Sequence, residues 1–212
     1  MNRKLLIAID GPSASGKGTI AKLLGEKLNL PVLYTGNIYR AVAYKVIQNN
    51  IDPHEIEKVV ELAKQLTLEE LENSNLTQEK VGQYASIIGV YSKVRDAMYK
   101  FQRDFIENSN GAVIEGRDIG TVICPEATFK FYITADSEVR ARRRAAQQLG
   151  SDYETILADL KTRDERDQNR EVAPLKPAND AIIIDSSRLN AKETLKVMYK
   201  FKHILYGREN CD

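Results

Sequence analysis

The chain has 212 residues, enough for one substantial α/β core with an insertion or a lid. Its 31 lysines and arginines balance 30 aspartates and glutamates, so it lacks the basic excess of a general nucleic-acid binder. Two distant cysteines, Cys124 and Cys211, and two histidines, His54 and His203, supply neither zinc-ligand spacing nor a histidine-based triad; the thiols read as reduced and the histidines as surface residues. Met1-Asn2-Arg3-Lys4 runs straight into the first strand without a signal peptide. No apolar run approaches about 18 residues. The expectation is a soluble, cytoplasmic protein that binds neither membrane nor nucleic acid.

The first strand is predicted at 4–9. It feeds Asp10-Gly11-Pro12-Ser13-Ala14-Ser15-Gly16-Lys17-Gly18-Thr19, and a helix follows at 17–29. Strand, glycine loop, lysine and helix is the layout of a phosphate cradle. Gly11 and Gly16 let the backbone wrap an anion, and the loop N–H groups and the helix N-terminus point at it. Lys17 supplies a mobile positive charge for β- and γ-phosphates. Gly18 departs from the strict motif, because it has no hydroxyl to give Mg²⁺. A metal would lean on phosphate oxygens, water and Thr19, with no dedicated protein metal site.

A second strand is expected at 31–34, and Thr35-Gly36-Asn37-Ile38-Tyr39-Arg40 then opens a helix with Thr35 as its N-cap. Helices follow at 37–49, 54–66, 77–90 and 93–108. Residues 36–110 hold no convincing strand, which reads as a helical substrate-binding insertion. Within it Val94, Met98, Phe101 and Phe105 recur at helical spacing and suit a core-facing seam. The third strand, 112–115, runs into Glu115-Gly116-Arg117-Asp118-Ile119-Gly120-Thr121. Arg117 and Asp118 therefore sit at the carboxyl end of a sheet strand, where open α/β sheets bind ligands.

A fourth strand at 129–134 precedes a helix at 137–148 carrying Arg140, Arg142, Arg143 and Arg144. The next helix, 152–168, brings Arg163, Arg166, Asp167 and Arg170 to one face by their spacing. Arginines around a carboxylate suit a phosphate and a sugar hydroxyl pair, although the same charges also suit a solvated helix face. A last strand at 182–185 and a helix at 191–205 complete an α/β fold: a five-stranded parallel sheet flanked by helices. A phosphate cradle alone leaves a switch protein open as well as a kinase. The second arginine cluster favours an enzyme with an acceptor site.

Four segments, Gly11 to Thr19, Thr35-Gly36-x-x-Tyr39-Arg40, Gly116-Arg117-Asp118-Ile119-Gly120-Thr121 and Arg163-Asp164-x-Arg166-Asp167-x-Asn169-Arg170-x-x-Ala173-Pro174-Leu175, together resemble the bacterial cytidylate kinases, in order and over nearly the whole chain. The ending Asp180-Ala181-Ile182-Ile183-Ile184-Asp185-Ser186-Ser187 is similar too. The resemblance implies a monomeric P-loop kinase with three parts: a core (1–35 and 111–212), a monophosphate-binding insertion (36–110) and a mobile lid near 140–160, with Gly150 as a hinge. It implies ATP with Mg²⁺ as donor and CMP or dCMP as acceptor. Residues 11–19 would hold ATP. Arg40, Arg117 and Arg170 would hold the acceptor phosphate; Ser86, Arg95 and Asp118 would read cytosine; Thr35 would help position the nucleotide. Arg163 and Asp167 would hold the ribose. Arg143 and Arg144 fall at the family's lid arginines, and with Lys17 and Arg166 they would stabilise charge on the transferring phosphoryl group. Acceptors such as UMP, AMP or shikimate are the nearest alternatives within small P-loop kinases.

Three departures stand out. Tyr34 replaces an acidic residue, and Glu115 stands where Asp is common. The stretch from Leu66 to Thr77 lacks the alternation that a small antiparallel sheet needs, so the insertion is expected to be reduced and mostly helical.

Overall fold

The strand Leu5–Asp10 (β1) is apolar throughout its first five residues, and every one from Leu6 onward is buried. A strand covered on both faces needs this continuous apolar pattern rather than an alternating one. The computed structural model describes residues 4–147 and 152–206, with side chains as far as Phe201. Gly150, Cys211, the His203 side chain and the first three residues lie outside that description.

β1 is the central strand of five. The others are Val32–Tyr34 (β2), Gly111–Gly116 (β3), Phe129–Thr134 (β4) and Ile182–Asp185 (β5), in the order β2-β3-β1-β4-β5. Each pair is parallel, with Leu5 opposite Gly111 and Ile7 opposite Phe129. Alternate residues of β1 feed two cores. Leu6 and Ala8 join Leu33, Ala112 and Ile114 on one face; Ile7 and Ile9 join Val113, Phe131 and Ile133 on the other.

The second face is covered by helices Lys17–Leu28 (α1) and Ala191–Tyr206 (α8). α1 buries Ile20, Ala21 and Leu24, the three-and-four spacing of one helical stripe, and stops at Asn29 in the left-handed conformation. The first face carries Thr35–Gln48 (α2), Ile56–Lys64 (α3), Glu79–Ile88 (α4) and Ser92–Asn108 (α5). Between α3 and α4 lie two 3₁₀ turns, Glu69–Glu72 and Ser74–Thr77. Residues 35–108 therefore contain helix and turn and no strand among the described residues, as the missing alternation predicts. Val94 and Met98 are fully buried on α5 and Phe101 and Phe105 pack beside them, the expected seam.

Ser137–Gln147 (α6) and Tyr153–Asn169 (α7) pack on each other through a small core of their own: Ala141, Ile156 and Leu160. Of the predicted elements, all five strands and eight helices are present. Two details differ. α2 starts at Thr35, so Tyr34 is the N-cap and Thr35 is helical. α7 ends at Asn169 and Arg170 is extended, so Arg170 does not share the helical face of Arg163, Arg166 and Asp167.

Candidate active site

Parallel strands end together, so the loops after β1 and β3 rise side by side; Asp10 lies opposite Gly116. This is the crevice where such sheets take ligands. The loop after β1 needs two glycines. A Cβ on Gly11 would stand 2.0 Å from the Ile133 carbonyl oxygen, and Gly16 has φ +90° at the head of α1. Ala14 also adopts positive φ, a conformation an L-residue holds only under constraint. The Ser15 hydroxyl is buried there without a partner.

Lys17 is buried beneath this loop. Its Nζ donates to the Pro12 carbonyl at 3.2 Å and lies 3.1 Å from the Glu115 carboxylate on β3. Burial, with Arg117 nearby, pushes the lysine pKa down. Glu115 thus serves as the counter-ion of the loop lysine, while its backbone carbonyl accepts the Thr35 hydroxyl at 2.9 Å. That bond replaces the capping role expected of Thr35. Tyr34 packs into the α1-side core beside Gly18.

One cleft collects the residues expected to hold the acceptor. Thr35, Arg40, Ser86, Arg95 and Arg117 line it, together with Asp118, Arg163, Asp167 and Arg170. These residues come from α2, α4, α5, the β3 end, α7 and the residue after it, so only the tertiary fold assembles them. Asp118 is buried at the centre. Arg95 donates to its Oδ2, and Arg170 Nη2 stands 3.5 Å from its Oδ1 without completing a hydrogen bond. Burial raises the Asp118 pKa against the pull of these arginines. Arg117 bonds Asp167 Oδ2 at 2.8 Å and the Ser13 hydroxyl at 2.9 Å, which ties β3, α7 and the glycine loop together. Arg40 lies against Gly82 and donates to the Leu76 carbonyl at 2.6 Å. Burial, and then Arg144 and Arg163, bring its pKa down to about 10.

The remaining arginines go elsewhere. Arg163 and Arg144 converge on Glu79 at the start of α4, and Arg166 donates to the Ser86 hydroxyl at 2.6 Å. Arg143 faces the opposite side of the loop, in a second cleft with Ala14 to Thr19, Leu189 and Thr194. Its guanidinium donates to Ser186 Oγ and O, to the Leu189 carbonyl and to the Ser15 carbonyl. Arg140 binds the Ser13 and Ala135 carbonyls and Asp164. Sequence patterning found the arginine run but not this division of labour. Glu79, Ser186 and Asp10 carried no signal beyond their place in or near the quoted motifs.

Arg143 therefore lies against the glycine loop rather than in the acceptor-side cleft with the other residues expected to meet the transferring group. Arg143→Ala should weaken binding of a phosphate ligand at the loop roughly tenfold, the cost of losing charged hydrogen bonds. Titration of the variant with a nucleoside triphosphate would check this, and unchanged binding would detach Arg143 from the loop's ligand.

The parallel sheet with strand order 2-3-1-4-5, an anion cradle after its central strand and an arginine-lined cleft beside that cradle define a P-loop kinase. The fold is similar to the crystal structure of shikimate kinase from Bacteroides thetaiotaomicron, with TM-score 0.52 and 12% identity over 95% of this chain and 99% of that one. Residues 7–203 match the cytidylate kinase family model, and the chain belongs to that family. It is 47% identical to the cytidylate kinase of Bradyrhizobium diazoefficiens over 88% of this chain and 90% of that one. It is 46% identical to the cytidylate kinase of Bradyrhizobium sp. ORS 278, over 91% and 92%. The chain is an enzyme, a nucleoside monophosphate kinase.

Proposed function

We propose that this enzyme transfers the γ-phosphoryl group of ATP to CMP, and to dCMP, giving CDP or dCDP and ADP. The observation that carries the acceptor assignment is Asp118, a buried carboxylate ringed by arginines in the cleft beside the Lys17 loop. A carboxylate accepts from the exocyclic amine of cytosine and repels the uracil carbonyl. In this reading Arg40, Arg117 and Arg170 hold the acceptor phosphate, Ser86 and Arg95 complete the base contacts, and Thr35 helps position the nucleotide. The acceptor phosphate is already anionic, so its oxygen attacks the γ-phosphorus without a general base. Positioning and charge neutralisation by Lys17 and the arginines then lower the barrier. Residues 11–19 cradle the donor phosphates.

Mg²⁺ suits this oxygen-rich site. The unpartnered Ser15 hydroxyl and the Glu115 carboxylate are hard donors at the cradle, and Thr19 lies in the same cleft. The ion would supply charge neutralisation on the triphosphate. The α6–α7 pair, whose small core meets the glycine loop through Ala14, is the part best suited to act as a lid that excludes water, with Arg144 and Arg166 delivered as it closes. No helix among the described residues is long and apolar enough to cross a membrane. A cytoplasmic monomer acting on free nucleotides fits the reading.

A panel of CMP, dCMP, UMP, AMP and shikimate, with ADP release followed by a coupled assay, tests the assignment. CMP should give the highest kcat/KM. Faster turnover of any of the last three would overturn it.

The ribose contact has its own test. Asp167 is four residues from Arg163 on α7 and already accepts from Arg117. Asp167→Ala is expected to lower kcat/KM for CMP more than for dCMP, which has no 2′-hydroxyl to lose. The difference should be roughly tenfold or more, the worth of one charge-assisted hydrogen bond. Equal losses would mean that Asp167 serves only to orient Arg117.

A further inference from the structure

Asp10 ends β1, one residue before the glycine loop, and is 3% exposed. Its carboxylate spans to the segment after β3. Oδ1 accepts the Ile119 N–H and Oδ2 the Gly120 N–H, both at 2.8 Å. Those two donors open a π turn, Ile119–Ile123, in which the Ile123 N–H returns to the Asp118 carbonyl at 3.1 Å and the Cys124 N–H to the Ile119 carbonyl at 2.7 Å. Donors at the start of such a turn have no partner within it. The turn begins immediately after Arg117 and Asp118. Asp118 sits at φ −141° and ψ 25°, outside regular structure, so the direction of its side chain depends on the backbone that follows.

Stability alone gives little reason for a charge here. Burial, aided by Asp118 and Glu115 and opposed by the Gly120 and Ile119 hydrogen bonds, leaves the Asp10 pKa raised to about 6, so the fold holds the ionised form at a cost. What a carboxylate offers over a neutral amide is two acceptors and no donor, which fixes both N–H directions at once. Besides Arg117, the glycine loop has anchors that do not depend on Asp10: Arg140 at the Ser13 carbonyl, and Ser186 and Arg143 at the Ser15 carbonyl.

We propose that Asp10 is a positioning residue that sets Arg117 and Asp118 against the phosphate loop, so that the acceptor is presented at a fixed distance from the donor. This rests on the proposed contacts of Arg117 and Asp118 with CMP. In Asp10→Asn the amide NH₂ faces a backbone N–H and the turn must rotate. Arg117 and Asp118 then shift, while the donor cradle keeps its other anchors.

Steady-state kinetics of Asp10→Asn, Asp118→Asn and the double variant, with ATP, CMP and UMP, test the idea. Asp10→Asn should raise KM for CMP about tenfold, narrow the CMP-over-UMP preference, and leave KM for ATP within about twofold. Because Asp10 acts through Asp118, the double variant should lose less preference than the product of the single losses. Equal rises in both KM values, a drop in thermal midpoint alone, or multiplicative losses would overturn the proposal. If Asp118→Asn leaves the CMP-over-UMP preference intact, the base-reading assignment itself is what fails. Asp10→Ala is the companion variant should Asp10→Asn not fold. It removes both acceptors from the Ile119 and Gly120 N–H groups and places no donor against them. The same CMP-selective rise is expected, and an unchanged KM for CMP would count against Asp10.

Discussion

Lys17→Ala is expected to lower kcat by about 10²- to 10³-fold, the scale of removing one preorganised charge from a phosphoryl-transfer site. The structure adds a second effect. Lys17 and Glu115 are a buried pair with side chains 7% and 11% exposed, 3.1 Å apart. Removing the lysine strands a carboxylate beneath the loop, which should cost about 3 kcal/mol of stability. The two effects separate in a double variant. Lys17→Ala with Glu115→Gln should regain most of the lost stability while kcat stays low. Urea unfolding and saturating-substrate kinetics on wild type and both variants would show this. Recovery of kcat along with stability would remove Lys17 from the chemistry.

Asp118→Asn is expected to have the second-largest effect. The carboxylate is held between Arg95 and Arg170, whose Nη2 completes no hydrogen bond and lies 3.5 Å from Asp118 Oδ1. An asparagine keeps the shape but loses the charge, and it can donate to a uracil carbonyl. A buried charge-assisted contact is worth about 1.5–3 kcal/mol, so kcat/KM for CMP should fall roughly 10- to 150-fold. The fall for UMP should be smaller, and the ratio of the two should narrow. Equal proportional losses on CMP and UMP would move base recognition to Ser86 and Arg95.

Much of this architecture was legible from the residues because the signals were local. Apolar bursts such as Leu5 to Ile9 mark strands, and the glycine loop marks the cradle. Arg40, Arg117 and Asp118 could be placed at strand ends or helix starts because parallel sheets put ligands there. What escaped was set by contacts between distant segments. The π turn at Ile119–Ile123 is anchored by Asp10, 109 residues away, and no window around Gly120 contains that information. Thr35 has the composition of a cap, but its hydroxyl is claimed by the Glu115 carbonyl 80 residues on. Helical spacing assigned Arg170 to the face of α7, yet the chain leaves the helix one residue earlier and the side chain returns to Asp118. The split between Arg143, tied to Ser186, and Arg144, paired with Glu79, likewise depends on which neighbours the fold supplies.

The central place of β1 also fixes an order of events during synthesis. Its neighbours are β3 and β4, and the registers Leu5 to Gly111 and Ile7 to Phe129 span 106 and 122 residues (111 − 5 and 129 − 7). As the chain emerges from the ribosome, its first strand has no partner until about half the protein has been made. Contacts among α2, α3, α4 and α5 are much shorter in sequence, and loop-closure entropy favours them first. The helical layer should therefore gather before the sheet it covers, leaving the most apolar strand exposed to chaperones for longest.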